Sequence, residues 1–245
     1  MREYENSDEM MSYADGAVKE REKPEIPPLE DVLGNCYIGQ IVTYGRYPQS
    51  SADGSELEPI PWVIVDVRFD RVRLLSLYGL DSPDYYVPAN LGGGYPRIIL
   101  SGTWRDSYIR NWLNENFYNR AFNAEEKSWI IDSVVELKDG GTKTILGNEY
   151  TWEPEVKNKV VLLSIQDVVN LELDVDTKKC KATNYAKANK AKVGPGGFCN
   201  WWLTDNVPGK LLFAAVDKTG KNIFAYDSDN MIDRPAVRPS IWVLR

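Results

Sequence analysis

The order of elements written into this sequence predicts an α+β domain of antiparallel strands, short helices and long irregular loops. Three observations carry that reading. Strand-like runs cluster at both ends of the domain and helical spacing occupies its middle, unlike the regular βα alternation of a parallel sheet. Two segments open with capping-box spacing, Asn123 with Glu126 and Ser164 with Asp167. The connections are rich in Gly, Pro, Asp and Asn, which punctuate regular structure. At 245 residues and 43% hydrophobic, with eight Trp and fourteen Tyr, the chain can fill one large core.

Residues 1–34 hold ten acids against four bases, so most of the net charge of −7 sits there. This stretch has little to bury and ends in a Pro-rich run; it is expected to be a disordered acidic leader, on the plainer reading a tail or spacer and on the alternative one that docks on a larger assembly with Met10, Met11 and Tyr13 as a small anchor. The domain is expected over residues 35–245. "YIGQIVTYGRYPQ" alternates as a strand, and "PWVIVDVRFDRVRLLSL" reads as two antiparallel strands, 62–67 and 71–75, turning at Phe69 and Asp70. A long aromatic loop follows over 78–104, and its "GGGYP" (92–96) lacks the Lys-Ser/Thr of a phosphate loop. "SYIRNWLNENFYNRAF" is the clearest helix, capped by Ser107 or Asp106, with Ile109, Trp112, Leu113 and Phe117 on one face. Arg110 and Asn114 face away from that stripe, where they would hold a ligand carboxylate or, on the preferred reading, Arg110 would pair with Asp106. "ATNYAKANKAK" is a short helix stopped by "GPGG". "NWWL", "KLLFAAV", "KNIFAYD" and "AVRPSIWVL" read as strands, with Lys218, Thr219 and Gly220 as a hairpin corner. The first and last strands, near Ile41 to Tyr44 and Val237 to Val243, are expected to lie side by side in one sheet.

Histidine is absent. That removes Ser-His-Asp and Cys-His chemistry and the usual imidazole zinc sites, and leaves carboxylate, lysine or tyrosine chemistry. Beyond residue 34 the charge is near neutral, which argues against a nucleic-acid partner. No apolar run approaches the ~18 residues a membrane span needs, and residues 1–25 lack a signal-peptide core. Cytoplasmic synthesis without membrane insertion is therefore expected, with display on a surface or particle left open. Cys36, Cys180 and Cys199 show no CxxC spacing, and their odd number suits a reducing compartment.

Adjacent acids recur at Asp81 and Asp84, Glu153 and Glu155, and Asp227 and Asp229, but sequence spacing cannot place two of them across a cleft. Asp205, Asn206, Asp227, Asp229 and Asn230 offer oxygen ligands for calcium without the ordered spacing of an EF-hand loop, so no cofactor is expected. Trp201 and Trp202 should point to opposite faces of a strand. Either one indole is left to stack on a sugar or peptide, or, as the plainer account, loops bury both.

The stretches "GQIVTYGRYPQ", "PIPWVIVDV", "LLSLYGLD", "TWRDSYIRNWLNENFYNRAF", "AEEKSWI" and "WWL…AAVDKTG…AVRPSIWV" resemble those of an uncharacterised bacterial domain family, over about residues 35–245. The final third is similar to the C-type-lectin-like fold used by sulfatase-modifying enzymes and by ligand-binding proteins diversified by retroelements. The resemblance implies that loops beside a late hairpin form a binding surface: Trp202, Thr204, Asp205, Asn206, Asp217, Lys218, Tyr226, Asp227, Ser228, Asp229 and Asn230. Three departures stand out. "WEPEV" carries Glu153-Pro154-Glu155 and no Trp-Asn-Asp occurs, against a sugar–calcium site. Cys180 and Cys199 are nineteen apart, unlike the close copper-binding pair of the sulfatase-modifying enzymes. Thr204 stands where the family reads Trp-Trp-Leu-Arg. The expected function is a non-enzymatic module that recognises a protein or glycan. The alternatives are a carboxylate-based glycan hydrolase and a structural component of a larger particle.

Overall fold

The computed structural model describes residues 25–85, 104–136, 141–145, 148–152, 155–171, 173–206, 212–227 and 234–245, with backbone alone for 106, 136, 141–145, 148–152 and 227. The expected anchor residues Met10, Met11 and Tyr13 and the "GGGYP" run lie outside these. Residues 25–34 pack onto the domain. Leu29, in the short helix α1 (Leu29–Val32), is buried, and the Pro27 carbonyl accepts from Thr43 N at 2.9 Å. The packed unit therefore begins ahead of the boundary expected at residue 35.

Alternation becomes strands where the sequence leads one to expect them: β1 (Ile41–Tyr47), β2 (Glu58–Val67) and β3 (Arg71–Ser76), then the two-residue β4 (Tyr78–Gly79). After Trp104–Asp106, a 3-10 turn, the predicted helix runs as α2 (Tyr108–Trp112), a π-helical turn (Leu113–Phe117) and α3 (Tyr118–Ala121). Ser107 caps it by accepting from Arg110 N at 3.3 Å, and Ile109, Leu113 and Phe117 are fully buried. Helix α4 (Ala124–Trp129) keeps the capping box of Asn123 and Glu126. Then come β5 (Ile130–Ile131), β6 (Ser133–Glu136), β7 (Gly141–Ile145), β8 (Asn148–Trp152) and β9 (Glu155–Asn158). Helices α5 (Ile165–Asn170), α6 (Val175–Lys178) and α7 (Asn184–Ala188) alternate with β10 (Cys180–Ala182). Ser164 and Asp167 form the expected box on α5. The chain closes with β11 (Phe198–Cys199), β12 (Trp201–Asn206), β13 (Leu212–Val216), β14 (Ile223–Asp227) and β15 (Ser240–Leu244).

The product is mixed α+β with mostly antiparallel strands. The main sheet has the order β1-β2-β3-β15-β5, and β12-β13-β14 form a second antiparallel sheet. A third runs β11-β10-β4, with β10 parallel to β4. The first and last strands share the main sheet, but not side by side as expected. The β2–β3 hairpin lies between them, and β15 pairs instead with β3, Ile241 opposite Leu74. Hairpin closure is local, so β3 claims its place beside β2 and offers β15 its free edge.

Arg110 and Asn114 bind backbone and neighbouring side chains. Arg110 Nε donates to Asn158 Oδ1 at 2.7 Å, and Asn114 brackets the strand exit by donating to Val160 O while accepting from Lys159 N and Val160 N. The Asp106 side chain, expected to pair with Arg110, lies outside the description.

Gly45 permits the closest approach of β1 to the helical layer. It sits at φ +67°, and a Cβ there would lie 2.6 Å from the Phe122 ring and 2.8 Å from Ala121 O. Gly45→Ala is expected to lower stability by about 2 kcal/mol or more, read as a drop in Tm by thermal denaturation.

Candidate functional site

Strand β12 carries both tryptophans, and the pleat sends them apart. Trp201 joins Leu203, Ala214 and Val216 in one core cluster, and Trp202 joins Phe213 and Ala215 in the other. Both are buried, at 0% and 3% exposure, so the plainer expectation is the one that holds and neither indole is an open stacking platform. The ladder to β13 shifts register between Trp202 and Asn206: Trp202 faces Ala215 while Asn206 faces Phe213. The extra residues bulge and re-aim the side chains at that end of the strand.

Beneath the bulge lies an aromatic nest. The Tyr85 ring stacks on Phe213 at 3.9 Å and meets Trp202 edge-on at 4.9 Å. Trp202 meets Tyr226 at 5.5 Å, and Tyr226 meets Phe224 at 5.7 Å. The Tyr85 hydroxyl donates to Leu203 O at 2.9 Å; burial, with the Asp205 charge nearby, pushes its ionisation well above the ordinary tyrosine range. The turn bearing Trp104 packs against β12. Trp201 Nε1 donates to Lys178 O at 2.9 Å, whereas Trp104 Nε1 and Trp202 Nε1 are buried and find no hydrogen-bond partner among the described residues. Each such orphan costs about 1–3 kcal/mol.

The structure divides the eleven expected site residues. Trp202, Thr204, Asp205, Asn206, Tyr226 and Asp227 gather at the nest end of the β12-β13-β14 sheet, where Leu212 faces Asp227. Trp202 and Thr204 are buried there, and Asp205 Oδ2 accepts the first amide of α5, Ile165 N, at 2.7 Å. Asp217 and Lys218 lie at the opposite end, in the β13–β14 turn. Asp217 builds that turn by accepting from Thr219 N, Thr219 Oγ1 and Asn222 Nδ2 at 2.7–3.0 Å. Burial would raise its carboxyl, but these bonds outweigh that and lower it. Beside this turn Val168, Val169, Leu173 and Ile223 line a shallow groove with Lys178 and Lys221. Ser228, Asp229 and Asn230 and the Asp227 side chain lie outside the described residues, as does Glu153. Tyr85, Trp104 and Phe213 belong to the nest but are not among the expected site residues; the tyrosine-rich 78–104 loop is the one signal of Tyr85 and Trp104, and the "KLLFAAV" strand that of Phe213.

Asp81 and Asp84 do not act as a pair. Asp84 bonds Arg234 at 2.7 Å. Asp81 is buried and accepts three bonds, from the Tyr47 hydroxyl (2.7 Å), Ser82 N (2.7 Å) and Asn189 Nδ2 (2.9 Å). Burial raises its carboxyl above the ordinary value despite these donors. Burial and the Asp81 charge likewise push the Tyr47 phenol up. Among the described residues no group of three or more His, Cys, Asp or Glu is placed to hold a metal, and no helix is long and apolar enough to cross a membrane.

Residues 94–244, more than half of the chain, match the family described as Domain of unknown function (DUF6273). The chain belongs to that family. The DUF6273 match takes in α2 through β15, including β12 and most of the nest, and leaves β1, β2 and β3 before it. No curated protein and no solved structure matches the chain.

Asp81→Asn keeps an acceptor for Ser82 and Asn189 and lets the Tyr47 hydroxyl turn to accept, so it is expected to stay within about 1 kcal/mol of the parent; Asp81→Ala strands three donors and is expected to cost about 3 kcal/mol. The folded carboxyl holds its proton to higher pH than the unfolded one, whose value is about 3.8. Between those two values the folded state binds more protons, so stability falls as pH rises. Urea titrations across that window should show this slope in the parent and lose it in Asp81→Asn.

Proposed function

We propose that this domain is a non-enzymatic recognition module, C-type-lectin-like in architecture, which binds a protein or glycan at the nest end of the β12-β13-β14 sheet. The observation that carries the reading is the pair of buried indole N–H groups on Trp104 and Trp202, without an acceptor among the described residues and on elements packed against each other. Buried donors without acceptors are rare in folded proteins, and a ligand oxygen from a sugar hydroxyl or a peptide carbonyl would relieve their cost. The lectin-like architecture is supported by a first and last strand in one sheet and by the late β13–β14 hairpin. A binding role is favoured over carboxylate hydrolysis because the carboxylates described within the expected site are already engaged, Asp205 with the α5 amide and Asp217 with its own turn, as are Asp81 and Asp84 outside it. Calcium is not required by this reading. The acidic leader would tether the module to a larger assembly.

Screening the full chain on glycan and peptide arrays, then titrating hits by calorimetry, tests this. Trp104→Phe and Trp202→Phe, checked for folding by circular dichroism, are each expected to weaken binding about ten-fold, or about 1.4 kcal/mol. Unchanged affinity in both variants would sink the reading. So would glycan turnover by the parent that disappears in a folded Asp205→Asn variant.

A further inference from the structure

Cys180 and Cys199 are separated by nineteen positions in the chain but are direct partners across the antiparallel β10–β11 ladder. Residues so opposed point to the same face with Cα atoms about 4.5–5.5 Å apart, inside the span of about 4.4–6.8 Å that a disulfide accepts. Both thiols are free and fully buried, and Cys199 Sγ donates to Cys180 O at 3.4 Å. Gly79 on β4 roofs the pair. A Cβ there would lie 3.3 Å from Cys199 Sγ, 3.6 Å from Cys180 Sγ and 2.5 Å from Ala236 Cβ, so the sulfurs use the space that glycine leaves.

A third group sets the charge. The Arg238 guanidinium is 1% exposed, donates to Ser76 O at 2.8 Å and Thr177 O at 2.7 Å, and lies 5.1 Å over the Trp201 ring. Among the described residues no carboxylate pairs with it. A buried cation answered by carbonyls and an indole stabilises an anion beside it, and the adjacent groups able to become one are the two thiols. The thiols divide the work. Burial would raise Cys180, but the Cys199 thiol, the Arg238 charge and the Gly79 amide together lower it. The Cys180 sulfur and burial hold Cys199 well above the usual thiol range.

We propose that Cys180 and Cys199 are a peroxide-reactive dithiol that closes into a cross-strand disulfide. The Cys180 thiolate attacks one oxygen of hydrogen peroxide; an S–O bond forms, the O–O bond breaks and hydroxide leaves, taking a proton to become water. The Cys199 sulfur then gives up its proton and attacks the Cys180 sulfur; the S–S bond forms, the S–O bond breaks and a second water leaves. Two electrons pass from the two thiols to the peroxide. Entry would be by opening of β11, the two-residue outer strand of the β11-β10-β4 sheet, behind the Pro195–Gly197 turn where Gly196 and Gly197 have φ of 71° and 80°. The far side of β11 carries the Val193–Cys199 bridge and the Gly194 N to Phe198 O bond of 2.7 Å, which that opening must break.

The test is to treat the reduced full-length chain with hydrogen peroxide, quench with an alkylating agent, and map thiols by peptide mass spectrometry. The expected result is a Cys180–Cys199 linked peptide formed about ten-fold faster than any loss of Cys36, reversed by dithiothreitol. Cys199→Ser should stop at a Cys180 sulfenic acid trapped by dimedone, and Cys180→Ser should leave Cys199 unmodified. Retention of all three thiols, loss of Cys36 ahead of the pair, or cross-links between chains would overturn it, and each is read in the parent protein whether or not the variants fold.

Discussion

Strand β12 has no free side, and the rest of the molecule is arranged around that constraint. Trp201 and Trp202 fill core clusters on its two faces. On one edge it pairs with β13, and on the other Trp202 N donates to Ala236 O and Thr204 N to Leu163 O. A strand enclosed this way must satisfy every backbone group within the protein, because water cannot. The segment around Ala236 therefore follows β12 closely, and the chain leaves it through Arg238 into β15. The position of the last strand and of the buried guanidinium are thus both consequences of covering one strand.

That enclosure also explains why the candidate site is aromatic rather than ionic. The charged groups near β12 are used in construction. Asp205 holds the start of α5, and Arg73 clasps the Asp167 of its capping box at 2.6 Å. Burial would raise Asp167, but Arg73 and Ser164 outweigh it and lower its carboxyl. What packs beneath the bulged end of the strand is buried ring surface, from Tyr85, Trp202 and Phe213.

Local physics was legible in the sequence. The two capping boxes, the Ser107 cap, the β2–β3 hairpin and the Lys218 corner each depend on residues a few positions apart, and each forms as read. Alternation also told that Trp201 and Trp202 separate. It could not tell what covers them, because Tyr85 on one side and Arg238 on the other come from distant parts of the chain. Register across long connections was equally hidden: nothing in the spacing of Cys180 and Cys199 says that they face each other. The sequence shows Asp81 only as one of several paired acids, because the fold alone brings Tyr47 and Asn189 to it. The family match, resting on 94–244 of the 35–245 first read, reaches the site but not the strands that support it.

That last division has a consequence for anyone trimming the protein. The recurrent segment ends in β15, whose inner neighbour β3 lies upstream of the segment's start. Cut at the family boundary, the piece would present the row from Ser240 to Leu244 bare along one margin, with Ile241 and Val243 uncovered. Unclaimed margins of that kind recruit whatever strand is nearest, commonly an identical copy. The matched segment and the sheet it completes are therefore different lengths of chain, and β3 covers an edge that the segment alone would leave open.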